Sequence, residues 1–74
     1  MSILPVINAR TVIRKLIRAG FRFIYAKGSH YFFQHPFTKR LTSVPMHGGK
    51  DIGRGLLLKI LKQAGLSLKE FLRL

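Results

Sequence analysis

The four residues Lys27-Gly28-Ser29-His30 place one imidazole beside a glycine, between two segments rich in aromatic residues. An imidazole has a pKa of about 6.5, so it can accept or donate a proton at neutral pH. It could remove the proton of a ribose 2′-hydroxyl while a Lys or Arg stabilises the charge that develops on the phosphate. Lys27 and Lys50 are the nearest candidates in sequence for that second role. Taken alone, a single histidine near a turn is more often a surface or hydrogen-bonded residue.

The other two histidines point less clearly to chemistry. His35 precedes Pro36, and we interpret it as a structural or exposed residue. His47 lies in a glycine-rich segment before a helix, where a phosphate contact competes with the commoner solvated loop histidine. The chain has no cysteine and only two acidic residues, and its three histidines are scattered without the spacing of metal ligands. We therefore expect neither a metal nor another cofactor.

The charge of the chain is strongly one-sided. Lys and Arg number 14 against two acids, which gives a formal net charge of +12 in 74 residues. Such an excess repels itself and favours an anionic partner, which indicates nucleic acid, an acidic protein or both, and a membrane surface only distantly. No apolar run approaches the roughly 20 residues of a membrane span, and the first residues lack the pattern of a signal peptide. We expect a single soluble, cytoplasmic domain over residues 1–74.

A first helix is predicted over residues 9–19, with Asn8 as its N-cap and Gly20 just beyond its end. Its apolar stripe consists of Val12, Ile13, Leu16 and Ile17. On the opposite side a basic ridge, with Lys15 beside it, is formed by Arg10, Arg14 and Arg18. This ridge is a candidate for contact with RNA phosphates.

Three strands follow, and they predict an antiparallel meander. Residues 21–25 and 30–35 are aromatic-rich and flank the tight turn at Gly28, and a third strand covers residues 40–44 before Pro45. The polar pair Thr42-Ser43 in this strand leaves its register undefined. Phe32 shares a strand face with His30 if alternation holds, so it could stack on a base, contact a partner or pack in the core.

A second helix is predicted before Gly65, with a buried stripe made of Leu56, Leu57, Ile60, Leu61 and Ala64. Lys59 and Lys62 point away from the core, and Leu58 is expected to be exposed. Ser67 and Glu70 have the spacing of a capping box, which opens a short helix over residues 68–72. The predicted fold class is α+β in the order α-β-β-β-α. Both helices cover one face of a three-stranded antiparallel sheet, as in double-stranded-RNA-binding domains.

The residues also resemble a known family over nearly the whole chain. The chain is similar to the HicA-type mRNA interferase toxins of bacterial HicA/HicB toxin–antitoxin pairs. The matching segments, in order, are Leu4-Pro5, Val12-Ile13-Arg14-Lys15-Leu16, Ala19-Gly20-Phe21, Lys27-Gly28-Ser29-His30, His35-Pro36, Val44-Pro45-Met46-His47-Gly48-Gly49-Lys50-Asp51, and the stretch from Gly55 through Gln63-Ala64-Gly65-Leu66.

The resemblance implies a metal-independent endoribonuclease that cleaves mRNA and is neutralised by a HicB-type antitoxin. In the family the histidine of the Gly-Ser-His turn is catalytic, and the match places that role at His30. For RNA binding our candidates are Lys27, Lys50, Arg10, Arg14 and Arg18. Because rim charges alone bind weakly, we expect Phe32 and Leu58 to contact the antitoxin.

Two alternatives remain open. One is a non-catalytic RNA-binding module that recognises duplex shape. His30 in its turn favours the enzyme, and the segment from Lys50 to Arg54 is a poorer phosphate clamp than duplex-binding domains usually carry. The other is a protein-interaction module, for which only an exposed Leu58 argues.

Overall fold

The computed structural model describes residues 6–46 and 51–74. Along the chain it contains β1 (Ile7–Asn8), α1 (Ala9–Arg18), β2 (Arg22–Lys27), β3 (His30–Gln34), β4 (Leu41–Pro45), β5 (Asp51–Ile52), α2 (Arg54–Ala64) and α3 (Leu68–Arg73). β2, β3 and β4 form an antiparallel sheet in that order, and β1 pairs with β5. The α+β prediction is confirmed. The β1–β5 pair was missed, because two-residue strands are too short to show a periodicity.

Helix α1 begins where its sequence predicts. The Asn8 side-chain oxygen accepts a hydrogen bond from the Thr11 backbone N–H at 2.9 Å, which satisfies one donor of the first turn. Gly20 follows the helix with a φ of +100°, a conformation that glycine adopts without strain.

The apolar stripe of α1 is only partly buried. Val12 and Leu16 are fully buried, whereas Ile13 is half-buried and Ile17 is 55% exposed. Ile17 lines an open apolar groove of about 340 Å³ together with Phe23 of β2, which is an edge strand of the sheet. The prediction that Ile17 is buried was wrong, because the sheet ends there.

Lys15 does not belong to the basic ridge. Its Nζ donates to the Leu74 carbonyl oxygen at 2.8 Å and to the Phe71 carbonyl oxygen at 3.3 Å. It also lies 5.3 Å from the centroid of the Phe71 ring, within the range of a cation–π contact. Lys15 therefore joins α1 to α3.

The register of the meander gives the sheet two unlike faces. Tyr31 pairs with Val44 and Phe33 with Thr42, and these four residues point towards the helices. Tyr31 and Phe33 line one groove together with Ile13 and Ile17 of α1, and the Thr42 hydroxyl reaches α2. Because neighbouring strand residues alternate between faces, the residues between them lie on the other side, which we call the open face.

Strand β4 alternates regularly despite its polar pair. Thr42 and Val44 are buried and Ser43 is half-buried on the open face. Thr42 is accommodated because its hydroxyl donates to Gln63 Oε1 at 2.9 Å and lies 3.4 Å from the Ile60 carbonyl oxygen. The strand also runs through Pro45 rather than stopping before it, which is tolerated because β4 is an edge strand.

Helix α2 buries Leu57, Ile60, Leu61 and Ala64 as predicted, and Leu58 is exposed. Leu56 is 37% exposed, so its predicted burial was wrong. It lies on the side of α2 that faces a groove at the edge of the sheet. Gly65 ends the helix in the left-handed conformation.

The predicted capping box of α3 is present. The Glu70 backbone N–H donates to the Ser67 hydroxyl, and the Ser67 backbone N–H donates to the Glu70 carboxylate. These hydrogen bonds, chiefly that of the Ser67 backbone, lower the pKa of Glu70 from its ordinary value of 4.5. The cap is therefore fully formed above pH 4.5 and weakens as the pH falls through the lowered pKa.

Candidate functional site

The turn that carries His30 is a two-residue hairpin loop. Lys27 is the last residue of β2 and His30 is the first residue of β3. The two are paired, and only Gly28 and Ser29 lie between them. Gly28 has a φ of +59°, and within the described residues Lys39 is the single non-glycine residue with positive φ. A positive φ at the first loop position alone is the signature of a type II′ turn. The Met46 backbone N–H donates to the Ser29 carbonyl oxygen at 2.6 Å, which ties the turn to the end of β4.

Gly28→Ala should lower the free energy of unfolding by about 1–2 kcal/mol, because a side chain in the left-handed region costs that much. No atom lies within 4 Å of the position of the added Cβ, so the cost is conformational rather than steric. Gly55→Ala is the matched control, since Gly55 is equally open but helical. It should raise stability by about 0.5–1 kcal/mol. Urea denaturation measures both, and equal effects of the two variants would contradict this account of the turn.

His30 lies on the open face and is exposed. Three rows of side chains cross that face from β2 to β4. The rows are Lys27–His30–Pro45, Tyr25–Phe32–Ser43 and Arg22–Gln34–Leu41. Lys27 and His30 are paired across β2 and β3, so both residues occupy one row of the open face.

A groove runs from His30 to helix α2. Its volume is about 170 Å³, and it is lined by His30, Ser43, Pro45, Leu56, Lys59, Ile60 and Gln63. Lys59 and Gln63 are one helical turn apart, and the hydrogen bond from Thr42 holds the Gln63 amide at the sheet edge. An imidazole, an ammonium and an amide thus line one groove, which suits the binding of a phosphodiester.

Lys59 is the residue of this groove that sequence reasoning missed. It points away from the core as predicted, but the edge of the sheet lies beside it. The only signal was the spacing of Leu56, Lys59 and Gln63 on one side of a helix. That spacing does not reveal which side faces the sheet edge. Lys50 and His47 lie outside the described residues.

The remaining predicted site residues are dispersed. Arg10, Arg14 and Arg18 are exposed, but α1 packs on the face of the sheet opposite to His30. The structure does not bring this ridge to the groove. Phe32 is half-buried on the open face, two residues from His30. Leu58 is exposed, but helical geometry places it on the side of α2 away from the groove.

His35 has a structural role. Its Nδ1 accepts hydrogen bonds from the backbone N–H groups of Phe37 at 3.1 Å and Thr38 at 3.3 Å. Its ring packs edge-on against Phe21, with 5.3 Å between the ring centroids. Through these hydrogen bonds and this ring contact, the His35 imidazole organises the loop between β3 and β4.

Within residues 6–46 and 51–74 there is no group of three His, Cys, Asp or Glu side chains that could hold a metal ion. None of the described helices has both the length and the apolar character needed to cross a membrane.

Comparison with known proteins identifies the family of the chain. No match was found among curated proteins. The family model for the HicA toxin of bacterial toxin–antitoxin systems matches residues 9–66, well over half of the chain. The match includes the turn at His30 and all the residues that line its groove. The chain belongs to the HicA toxin family of bacterial toxin–antitoxin systems.

Proposed function

We propose that the chain is a metal-independent endoribonuclease that cleaves mRNA, with His30 as its catalytic residue. The observation that carries the proposal is the exposed imidazole of His30 in one groove with Lys59, on a chain of net charge +12. Membership of the HicA toxin family supports the same activity.

The chemistry needs one proton acceptor and one cation. The His30 imidazole removes the proton of a ribose 2′-hydroxyl, and the resulting oxygen attacks the adjacent phosphorus. The bond from phosphorus to the 5′-oxygen breaks, and that oxygen takes a proton from the imidazolium or from water. Lys59 and Lys27 stabilise the negative charge on the phosphate during this step. Because the nucleophile belongs to the RNA, no metal-bound water is required.

The test uses purified protein and two oligonucleotides of one sequence. The first is RNA, and the second carries 2′-O-methyl groups throughout. We expect cleavage of the RNA to a 2′,3′-cyclic phosphate and a 5′-hydroxyl end, no cleavage of the methylated strand, and the same rate with EDTA. Cleavage of the methylated strand, or inhibition by EDTA, would refute this mechanism.

A non-catalytic RNA-binding module is the second candidate. It is favoured by the exposed ridge of Arg10, Arg14 and Arg18, which lies on the helical side of the sheet away from His30. Binding of duplex RNA without cleavage of any single strand would support it over the ribonuclease.

The family is defined by its pairing with an antitoxin, and we propose that a HicB-type antitoxin covers the open face around His30. An acidic surface complements this chain, whose only acids are Asp51 and Glu70. Phe32 supplies an apolar contact beside His30. Leu58 is contacted in addition only by an antitoxin that extends around α2, since it lies away from the groove.

Antitoxin and RNA should therefore compete for the protein. Titrating the antitoxin into a complex of the protein with fluorescent, methylated RNA should release the RNA completely. One RNA molecule should be released for each antitoxin site that becomes occupied. Fluorescence anisotropy measures the release. A stable ternary complex would show that the antitoxin binds elsewhere and acts at a distance.

A further inference from the structure

We propose that Tyr25 and Phe32 form a binding site for one unpaired base of the RNA. The two rings are stacked, with 4.5 Å between their centroids and an angle of 4° between their planes. Tyr25 is 48% exposed. The proposal rests on the proposed ribonuclease function, because it concerns the strand that passes His30.

The position of the pair relates it to the proposed chemistry. Tyr25 and Phe32 occupy the row of the open face next to Lys27 and His30. Rows on one face of a strand are roughly 7 Å apart. An RNA strand with one phosphate at His30 must continue in two directions from that phosphate. One direction leads into the groove beside Lys59, and the other leads over the stacked rings.

The outer position of Tyr25 leaves one ring surface accessible. Phe32 covers one side of the Tyr25 ring, while in the described part of the chain no further strand pairs with the outer edge of β2. Every base has a flat π face, and stacking on an aromatic side chain does not depend on its sequence. Only an unpaired base can present that face fully, so the site selects single-stranded RNA over duplex.

The charges around the pair suit a phosphate backbone. Arg22 and Lys27 lie at the two ends of β2, on either side of Tyr25. The only acids of the chain are Asp51, in the separate β1–β5 pair, and Glu70, in the α3 cap. An RNA strand that crosses the open face therefore meets a cation on each side of the stacked base. It meets no carboxylate there, because neither acid belongs to the β2-β3-β4 sheet.

The experiment uses an eight-residue 2′-O-methyl RNA, which binds without being cleaved. Tyr25→Ala should weaken its binding roughly 5- to 100-fold, the usual loss when a stacking aromatic is removed. Tyr25→Phe should keep the affinity within about twofold, since the ring remains. Ile24→Ala is the matched control on the same strand, because Ile24 is also exposed (43%) but takes no part in the stack. Circular dichroism confirms that each variant is folded.

A second series removes one base at a time from the oligonucleotide. In the wild-type protein one abasic position should weaken binding more than the others, and in Tyr25→Ala that position should lose its effect. Such non-additivity reports direct contact. Equal abasic penalties in both proteins would overturn the proposal, and so would a Tyr25→Ala variant that loses affinity only for the antitoxin.

The series also separates this site from the ribonuclease proposal. If the wild-type protein fails to cleave RNA but the abasic position and Tyr25 remain coupled, the stacking site stands and the catalytic proposal fails. If cleavage occurs at full rate and KM is unchanged in Tyr25→Ala, the catalytic proposal stands and the stacking site is refuted.

Discussion

His30→Ala should lower the rate of RNA cleavage at saturating RNA by about 10²–10⁴-fold, which is the usual contribution of a positioned general acid or base. His30 is exposed at the end of a hairpin, so the fold should survive its removal. Single-turnover cleavage of an RNA oligonucleotide measures the effect. We expect expression of the wild-type protein in a bacterial host to cause growth arrest and mRNA decay, and the same substitution should abolish both.

His35→Asn is the matched control for this experiment. It also removes an imidazole, but the Asn side-chain oxygen can still accept hydrogen bonds from the loop backbone. We expect a modest loss of stability from the lost packing on Phe21 and a cleavage rate close to wild type. A folded His30→Ala variant that cleaves at the wild-type rate would remove His30 from the mechanism. An equal loss of rate in both variants would indicate a general effect of histidine removal.

RNA binding should weaken about 100-fold between 50 and 200 mM salt. The basis is counterion release, since neutralising about five phosphates of a single strand gives a slope near −3.5 in log K against log salt. The chain has ample cations for this, at net charge +12. Fluorescence anisotropy with methylated RNA measures the slope, and a flat salt dependence would contradict an electrostatic interface.

Two sets of variants locate the interface. Lys27→Gln with Lys59→Gln should make the slope shallower by about 1.4, because each lost phosphate contact removes about 0.7. Reversal of the ridge of Arg10, Arg14 and Arg18 to Glu tests whether the RNA also reaches α1. If a short oligonucleotide binds only the open face, the reversal leaves the slope nearly unchanged. A larger effect of the arginines than of the lysines would move the interface to the helical side.

The parts of the fold that follow from local chemistry were predicted from the sequence. Asn8 caps α1, Gly28 permits the tight turn before His30, and Ser67 and Glu70 cap α3. Each of these depends on residues no more than three positions apart. The helix ends and the hairpin turn can therefore be predicted from the few residues that form them.

The parts that were missed depend on distant residues. Ile17 and Leu56 have the spacing of core residues, but each lies beyond the margin of a sheet only three strands wide. Lys59 reaches the His30 groove because α2 follows the edge of β4. No periodicity within α2 contains that information. For the same reason Arg14 and Lys59 look alike in sequence, but only Lys59 lines the groove at the edge of β4.

The bulge in β2 affects how copies of the chain behave towards each other. The register of β2 against β3 shifts between Phe23 and Tyr25, so the outer strand bends at Ile24. A bent edge is a poor template for adding another strand. Antiparallel pairing of two β2 strands would also bring Arg22 of one copy close to Lys27 of the other, and like charges so placed repel. The bend and the charges of β2 therefore disfavour strand-to-strand pairing between copies, although this edge exposes the apolar side chains of Phe23, Ile24 and Tyr25.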